Sequence, residues 1–344
     1  MDYYRNFLPL QLPSLDDGGG TSLVCYRCSG AQLPVVLTAP HGGNAEFGHQ
    51  STRFLPRPDD MPGVRTLADV GTAQLLEEID GKLQQLTGKS PYMVVARFHR
   101  MYIDANRDVD VPAEYATCPG CTEARETHLR YHYSIDRCVR SIKACCREQR
   151  VLLIDIHGQA SHPSSVLIGT RDGSTADVPY LHREGEGFLW HLRQLYGGVI
   201  KPGVGEEEVS GYKGGHTVHR HAGRGIDAVQ LEFGSSLRAS QARAEVGEKV
   251  AKAIYHHLQP LAPFIASLGV RCTSTLNSLS VFPNQSKIPR PPNEISSAIT
   301  PMGRGEQGPR CWSAAEAGHH NSQRFIRVPP SQAPAAQGQA SSLL

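Results

Sequence analysis

The sequence of 344 residues lacks a strong net charge and lacks any long hydrophobic run. Its formal charge of +2 gives no electrostatic reason to expect nucleic acid or an anionic membrane surface as a partner. No apolar stretch approaches the roughly 20 residues of a membrane-spanning helix, and residues 1–15 lack the apolar segment of a secretory signal. These absences predict a cytoplasmic protein that binds neither nucleic acid nor a membrane.

Cysteine is too scattered to indicate a disulfide framework. Nine cysteines, an odd number in a long chain, predict reduced thiols. Two pairs, Cys25/Cys28 and Cys118/Cys121, nevertheless have the Cys-x-x-Cys spacing of structural zinc sites. Compact zinc modules keep their two pairs much closer in sequence, so unpaired thiols are the preferred interpretation and a four-cysteine zinc site is the alternative.

The apolar pattern divides the chain into a folded domain and a tail. Short apolar runs alternate with stretches of helical periodicity, which predicts an α/β domain over residues 1–270. Residues 271–344 are rich in Ser, Pro, Gln, Asn and Gly and are predicted to be disordered. The expected strands cover 22–28, 33–38, 92–98, 152–158, 164–170 and 228–233, and the expected helices cover 70–86, 122–149, 188–196 and 238–266.

Two of the predicted strands end in a histidine beside glycine, at His41-Gly42-Gly43 and at His157-Gly158. Ligands collect where strands of an open α/β sheet end, so both histidines are candidates for one site. Asp155 and His157 share a strand face, because side chains alternate along a strand. Two histidines and one carboxylate with an open fourth position form the ligand set of a catalytic zinc. The alternative for His157, taken alone, is a core position bonded to a backbone carbonyl.

Two further residues stand out from their surroundings. Glu232 lies in the apolar strand 228–233, where a carboxylate is almost never buried unless it is paired or functional. His216 lies in the glycine-rich segment 202–225 and is a candidate to contact a ligand, although exposed loop histidines are the commoner case.

Arginines follow the strand 92–98. Arg100 and Arg107 lie where a bidentate guanidinium is suited to bind a carboxylate. The alternative is a structural salt bridge of Arg107 with Asp104 or Asp108.

These segments together resemble the N-formylglutamate amidohydrolase family. The resemblance covers roughly residues 30–240 and is carried, in order, by Pro40-His41-Gly42-Gly43, Asp69-x-x-Thr72, Arg100 with Asp104-x-Asn106-Arg107, Asp155-x-His157-Gly158 and Gln230-x-Glu232. It implies a zinc hydrolase with a three-layer α/β/α fold and a mixed, mostly parallel central sheet, similar to the metallocarboxypeptidases. The implied reaction releases an acyl group, formyl in the family, from an amino acid that bears a carboxylate.

The resemblance also implies a role for each matching residue. His41 and His157 are implied as ligands of one zinc ion, with Asp69 as the third ligand. Glu46, five residues after His41, is the alternative third ligand, because carboxypeptidases have a similarly short spacing. A further implication is that Asn106 and Arg107 bind the carboxylate of the substrate and that Glu232 is the general base.

The chemistry of amide cleavage agrees with these roles. Zinc-assisted hydrolysis needs a base to move a proton and a cation near the oxyanion, for which Arg100 or Arg107 is suited. Asp155 is a candidate to orient a ligand imidazole. Two alternatives are a metallocarboxypeptidase-like exopeptidase that uses the same residues, and a non-catalytic binding protein stapled by zinc at the cysteine pairs. The segments 44–65 and 113–121 match no pattern, so the substrate is not fixed.

Overall fold

One seven-stranded sheet organises the chain. A computed structural model describes residues 23–27, 32–43, 54–145, 150–203, 205–223 and 225–259. The strands are β1 (Val24–Arg27), β2 (Gln32–Ala39), β3 (Ser90–Ala96), β4 (Val151–Gln159), β5 (Val166–Gly169), β6 (Ile200–Lys201) and β7 (Ile226–Gly234). They lie in the order β1-β3-β2-β4-β7-β5-β6. Among the strand pairs of the described residues, only β1/β3 and β5/β7 are antiparallel, which confirms the predicted mixed, mostly parallel sheet.

Helices cover both faces of this sheet. Those in the described ranges are α1 (Thr72–Thr87), α2 (Thr122–Cys145), α3 (Val178–Leu181), α4 (Phe188–Tyr196), α5 (His216–His221) and α6 (Arg243–Leu258). One apolar core joins the sheet to α1, α4 and α6, and a second joins the opposite face to α2. On β2, Val35 and Leu37 enter the first core and Val36 enters the second, as expected of a strand buried on both faces. The predicted three-layer α/β/α arrangement is confirmed.

Helix boundaries follow local backbone chemistry. α1 ends where Gly88 adopts the left-handed φ of 67° and its N–H donates to the carbonyl of Gln84. α4 has the predicted bounds, whereas α6 begins at Arg243 rather than at Arg238 because residues 235–242 form turns. The glycine-rich segment 202–225 differs from the expected loop because it contains α5.

Several expectations concern residues outside the described ranges. These are the tail 271–344, Glu46, Cys28 and the side chain of Cys25. Cys118, Cys121 and Cys138 form no disulfide, as predicted, but Cys145 is disulfide-bonded, so the expectation of reduced thiols is wrong at that position. No helix in the described ranges combines the length and the apolar character that crossing a membrane requires.

Candidate metal centre and catalytic cleft

The carboxyl ends of β4 and β7 carry polar side chains on the face that packs against α2. Asp155 lies opposite Gln230 in the parallel register, and His157 lies opposite Glu232. All four residues are buried. Because residues of one face recur with period two, each strand delivers two polar groups to the same edge of the sheet. The predicted shared face of Asp155 and His157 is present.

His41, Asp69 and His157 converge at this edge. The Nδ1 atoms of both histidines lie 3.2 Å from Asp69 Oδ2. One ligand atom from each of the three residues falls within 4.8 Å of the others, and no other such group of His, Cys, Asp and Glu occurs in the described ranges. Two imidazole nitrogens and one carboxylate oxygen are the donors that a catalytic zinc site uses. The donor set therefore fits the predicted metal.

The segment before α1 brings Asp69 to the imidazoles. The N–H of Asp69 donates to the carbonyl of His41 at 3.0 Å, and Thr72 Oγ1 donates to the carbonyl of Asp69 at 2.7 Å. A Cβ on Gly42 would lie 2.9 Å from the Cβ of Ala73 in α1. The glycine beside His41 thus makes room for the start of α1, and the segment directly before α1 brings Asp69 close to the end of β2.

A second carboxylate holds the outer nitrogen of each imidazole. His41 Nε2 lies 2.6 Å from Asp104 Oδ1, and His157 Nε2 lies 2.9 Å from Asp155 Oδ2. An Nε2–H that donates to a carboxylate leaves the Nδ1 lone pair directed at the shared oxygen of Asp69. Metal-binding histidines are commonly oriented in this way, and Asp155 makes the contact predicted for it.

The charges around the candidate ligands are strongly coupled. Burial would raise the pKa of Asp69, but the two neighbouring imidazoles hold that pKa below its usual value. Burial would lower the pKa of His157, but Asp155, together with Asp69 and Glu232, outweighs burial and raises that pKa. Burial also opposes ionisation of Asp104, whose pKa is nevertheless held well below its usual value, chiefly by Arg100. Asp69 and Asp104 are therefore held in the ionised form beside the imidazoles, which favours a cation between the two rings.

Glu232 lies next to this group. Its side chain is 8% exposed, and its Oε1 accepts a hydrogen bond of 2.9 Å from Gln230 Nε2. Burial raises the pKa of Glu232 to about 7, although His157 acts in the opposite direction. A carboxyl group that titrates near neutral pH is suited to accept and return a proton.

A cavity of about 980 Å³ opens onto these groups. Its wall includes His41, Asp69, His157 and Glu232, together with parts of the segments 63–69 and 210–215. Four arginines also line the cavity: Arg65, Arg100, Arg107 and Arg238. The cleft thus contains cationic groups as well as the carboxylate-rich metal group, and cations are what a substrate carboxylate and a developing oxyanion require.

The two residues predicted to bind the substrate carboxylate both reach the cleft. The Asn106 side chain is held by the protein, because its Oδ1 accepts the Thr217 N–H at 3.0 Å and its Nδ2 donates to Gln230 Oε1 at 3.3 Å. Arg107 Nη1 donates to the carbonyl of Asn106 at 3.0 Å. In the described part of the chain Arg107 forms no ion pair with Asp104 or with Asp108, so the structural salt bridge considered for it is absent.

Arg100 joins the metal group to its outer carboxylate. Its Nε donates to Asp104 Oδ2 at 2.9 Å, and its Nη1 lies 3.7 Å from Asp69 Oδ1. Arg57 also approaches Asp104 Oδ2, at 3.5 Å. Sequence reasoning missed that Asp104 pairs with His41, although a carboxylate between the apolar Ile103 and Ala105 is as anomalous as Glu232. Arg57, in an irregular segment, offers no comparable pattern.

The His216 side chain is not part of the metal group, although its backbone N–H donates to the carbonyl of Asn106 at 3.4 Å. It belongs to a second buried group, the histidine stack, formed by His128, His132, His216 and His221. The His216 and His132 ring centroids are 5.0 Å apart, and His132 Nδ1 lies 3.0 Å from His221 Nε2. His216 is absent from the cavity wall. The structure therefore gives no support to its predicted contact with substrate.

Two alternatives for metal binding involve residues outside the described ranges and stay predictions. Glu46 lies outside the described residues, so its candidacy as third ligand is untested. The four-cysteine site needs Cys28, which is also outside them, while its other pair, Cys118 and Cys121, is half-buried and free.

The chain matches one protein family over more than half of its length. A sequence profile of the N-formylglutamate amidohydrolase family matches residues 33–238, a range that contains His41, Asp69, His157 and Glu232. No curated protein sequence gives a significant match.

Solved structures that match have low sequence identity. The N-formylglutamate amidohydrolase from Ralstonia eutropha JMP134 is 17% identical over 72% of this chain and 99% of its own, with a TM-score of 0.46. A bacteriophage poly-gamma-glutamate hydrolase is 13% identical over 75% and 91% of the two chains, with a TM-score of 0.33. A metallo-carboxypeptidase from Burkholderia cenocepacia is 12% identical over 69% and 62%, with a TM-score of 0.37.

Proposed function

The chain belongs to the N-formylglutamate amidohydrolase family and is an amide hydrolase, and from this premise we propose that it works with one zinc ion. The proposed reaction removes an acyl group, formyl in the first instance, from an N-acyl amino acid that bears a carboxylate. The observation that carries the proposal is the approach of His41 Nδ1 and His157 Nδ1 to one oxygen of Asp69, beside the buried Glu232.

His41, Asp69 and His157 would hold the zinc ion. Zinc in a site with an open position acts as a Lewis acid that acidifies water near neutral pH and polarises a carbonyl group. Asp104 and Asp155 keep both imidazoles in the tautomer that presents Nδ1.

Glu232 is the proposed general base and acid. Its carboxylate accepts the proton of the attacking water and returns it to the nitrogen of the leaving amine. Burial favours the protonated form and the neighbouring cation favours the carboxylate, so both forms are accessible near neutral pH. Gln230 Nε2 fixes one carboxylate oxygen and leaves the other available to the reaction.

Two arginines of the cleft have separate proposed roles, in binding the substrate carboxylate and in stabilising the oxyanion. Arg107 is the proposed partner of the substrate carboxylate, because it lines the cavity without an ion pair in the described contacts. Asn106 holds the turn that carries Arg107, since both ends of its amide are hydrogen-bonded within the protein. Arg100, between Asp69 and Asp104, is positioned to add positive charge near the oxyanion.

An exopeptidase is the second candidate function. A volume of about 980 Å³ is at the upper end of ordinary ligand pockets and is larger than a single N-formyl amino acid requires. Substrates of increasing length distinguish the two functions: a deacylase prefers N-formyl and N-acetyl amino acids, whereas an exopeptidase prefers peptides. The family assignment favours either enzyme over a zinc-stapled binding protein.

The first test measures bound zinc by elemental analysis in the full chain, the His41→Ala/His157→Ala variant and the Glu232→Gln variant. We expect one zinc in the wild type and in Glu232→Gln, and none in the double variant. Hydrolysis of N-formylglutamate should then occur only in the wild type. Zinc retained by a folded double variant would refute the metal site, and zinc-loaded wild type that cleaves no N-acyl amino acid would refute the substrate class.

A further inference from the structure

We propose that Arg238 is a positioning residue, which ties together the three chain segments that carry Asp69, His157 and Glu232. The inference rests on the proposed function, since it assigns Arg238 to the same site. Arg238 lies in the turns between β7 and α6, and its N–H donates to the carbonyl of Gly234 at 3.3 Å. Its side chain therefore starts from the end of the strand that carries Glu232.

Each nitrogen of the Arg238 guanidinium group donates to a different segment. Nε donates to the carbonyl of Phe233 at 2.9 Å, directly after Glu232. Nη2 donates to the carbonyl of Gln159 at 3.3 Å, two residues after His157. Nη1 donates to the carbonyl of Val70, directly after Asp69. One planar cation thus fixes the backbone next to two candidate ligands and the candidate base.

The surrounding backbone is shaped to admit this group. A Cβ on Gly158 would lie 2.5 Å from Arg238 Cζ and 2.7 Å from its Nε, so any larger residue there would collide with the guanidinium. A Cβ on Gly71 would lie 2.8 Å from the carbonyl oxygen of Arg238. Both glycines directly adjoin the segments that Arg238 contacts. Glycine therefore occupies the two positions, 71 and 158, at which a side chain would displace Arg238.

The contacts separate positioning from catalysis. Asp69 and Glu232 act on the Arg238 charge from a distance, while in the described contacts all of its side-chain hydrogen bonds go to main-chain carbonyls. Lysine cannot reproduce this arrangement, because its ammonium is a compact point charge without the spread donors of a guanidinium. Arg238 consequently acts through the residues whose backbone it holds.

The test compares Arg238→Ala, Arg238→Lys and the double variant Gly158→Ala/Arg238→Ala. Zinc affinity is measured by competition with a chelator, and unfolding is followed by circular dichroism. We expect Arg238→Ala and Arg238→Lys to weaken zinc binding roughly 10- to 100-fold, the range found when groups that orient metal ligands are lost. Low-millimolar guanidinium chloride should restore part of the affinity of Arg238→Ala, whereas sodium chloride and ammonium chloride should not.

The double variant tests whether added guanidinium acts from the place that the Arg238 side chain has left. With Ala at position 158 the added Cβ occupies the place of the guanidinium, so we expect no rescue in that background. Unchanged zinc affinity in Arg238→Ala, or equal rescue in both backgrounds, would overturn the proposal. Should Arg238→Ala fail to fold, Arg238→Gln, which retains one donor group, carries the same comparison. The zinc measurement needs no substrate, so its failure is distinct from an error in the proposed reaction.

Discussion

Two buried groups of imidazoles lie on either side of the turn 104–107, and they differ in their partners. In the metal group, the outer nitrogens of His41 and His157 each face a carboxylate. In the histidine stack, His128 Nε2 donates to the carbonyl of Arg107 at 2.9 Å, and His132 Nε2 donates to the carbonyl of Ala105 at 2.9 Å. The Nε2 atoms of His41 and His157 therefore face negative charge, whereas those of His128 and His132 face the neutral dipoles of backbone carbonyls.

The difference in partners reverses the effect of burial. Burial lowers the pKa of His128 to about 4 and also lowers that of His132, to which the neighbouring imidazoles add. Burial would do the same to His157, but Asp155 raises its pKa above the usual value. A buried imidazole beside a carboxylate favours a proton or a metal ion, whereas one beside carbonyls stays neutral and supports the backbone. What distinguishes the metal group is one carboxylate oxygen, Asp69 Oδ2, shared by two imidazoles, because His221 in the histidine stack also faces a carboxylate, that of Asp136.

The largest difference should appear when one histidine of each group is replaced by alanine and the two variants are compared. We expect the zinc affinity of His157→Ala to fall by more than the roughly 100-fold that is lost when a group that orients a metal ligand is removed. Hydrolysis should cease in this variant. His132→Ala, the matched control from the histidine stack, should retain one zinc in its folded fraction. Zinc and activity are measured on the same preparations, and loss of zinc in both variants would remove the distinction between the groups.

Glu232→Gln should keep the metal and lose the proton transfer. Removal of a general base lowers kcat by roughly 100- to 10,000-fold. In the wild type, kcat/KM should fall as the pH drops through the pKa of Glu232, because the base must be ionised. That pKa is about 7 in the metal-free protein, and a bound cation shifts it lower. The fall of kcat/KM at low pH should be missing in Glu232→Gln. The same fall in Glu232→Gln, with zinc still bound at each pH, would assign it to a group other than Glu232.

Asp104→Asn and Asp155→Asn should produce intermediate effects. Each variant keeps the size of the side chain but removes the charge that holds an imidazole Nε2–H. We expect zinc affinity to fall roughly 10- to 100-fold in either variant, measured by chelator competition. Asp136→Asn, which changes the carboxylate 3.0 Å from His221 Nδ1 in the histidine stack, is the control and should leave zinc affinity unchanged. An effect of equal size in the control would show that the two groups are electrostatically coupled.

The histidine stack should instead determine part of the pH dependence of stability. Its His128 has a pKa of about 4 in the folded protein, below the ordinary value of 6.5. The unfolded chain therefore binds a proton first as the pH falls. Stability from this group is present above pH 6.5 and is lost towards pH 4, by about 3 kcal/mol. Urea unfolding of metal-free protein should have a shallower pH dependence over this window in His128→Asn, and an identical slope would contradict the assignment.

Periodicity explains what the sequence predicts well. Alternation along β4 is local, so Asp155 and His157 had to share a face whatever the rest of the chain did. The bounds of α4 follow from its own apolar spacing and the flanking glycines. The convergence of Asp69 on the histidines was accessible only through the family resemblance, because nothing within residues 65–72 specifies where that segment lies.

Contacts between distant segments explain what the sequence does not predict. Asp104 and His41 are 63 positions apart, and their pairing depends on how β2 and the turn after β3 meet. Arg238 reaches three segments that are separate in sequence, so no local pattern marks it. His216 lies in a glycine-rich segment without periodicity, which left both its depth and its direction undetermined.

The smallest expected effect concerns His216, and it separates the cleft from the histidine stack most directly. His216 is absent from the cavity wall, whereas Arg107 lines it. Loss of a hydrogen-bonded charge costs roughly 1.5–3 kcal/mol, so Arg107→Ala should raise KM for N-formylglutamate about 10- to 100-fold. His216→Ala should change KM by less than about twofold, because KM reports groups that contact the substrate. A rise in KM from His216→Ala that matches Arg107→Ala would mean that α5 moves into the cleft when substrate binds, and that the two imidazole groups act on one ligand.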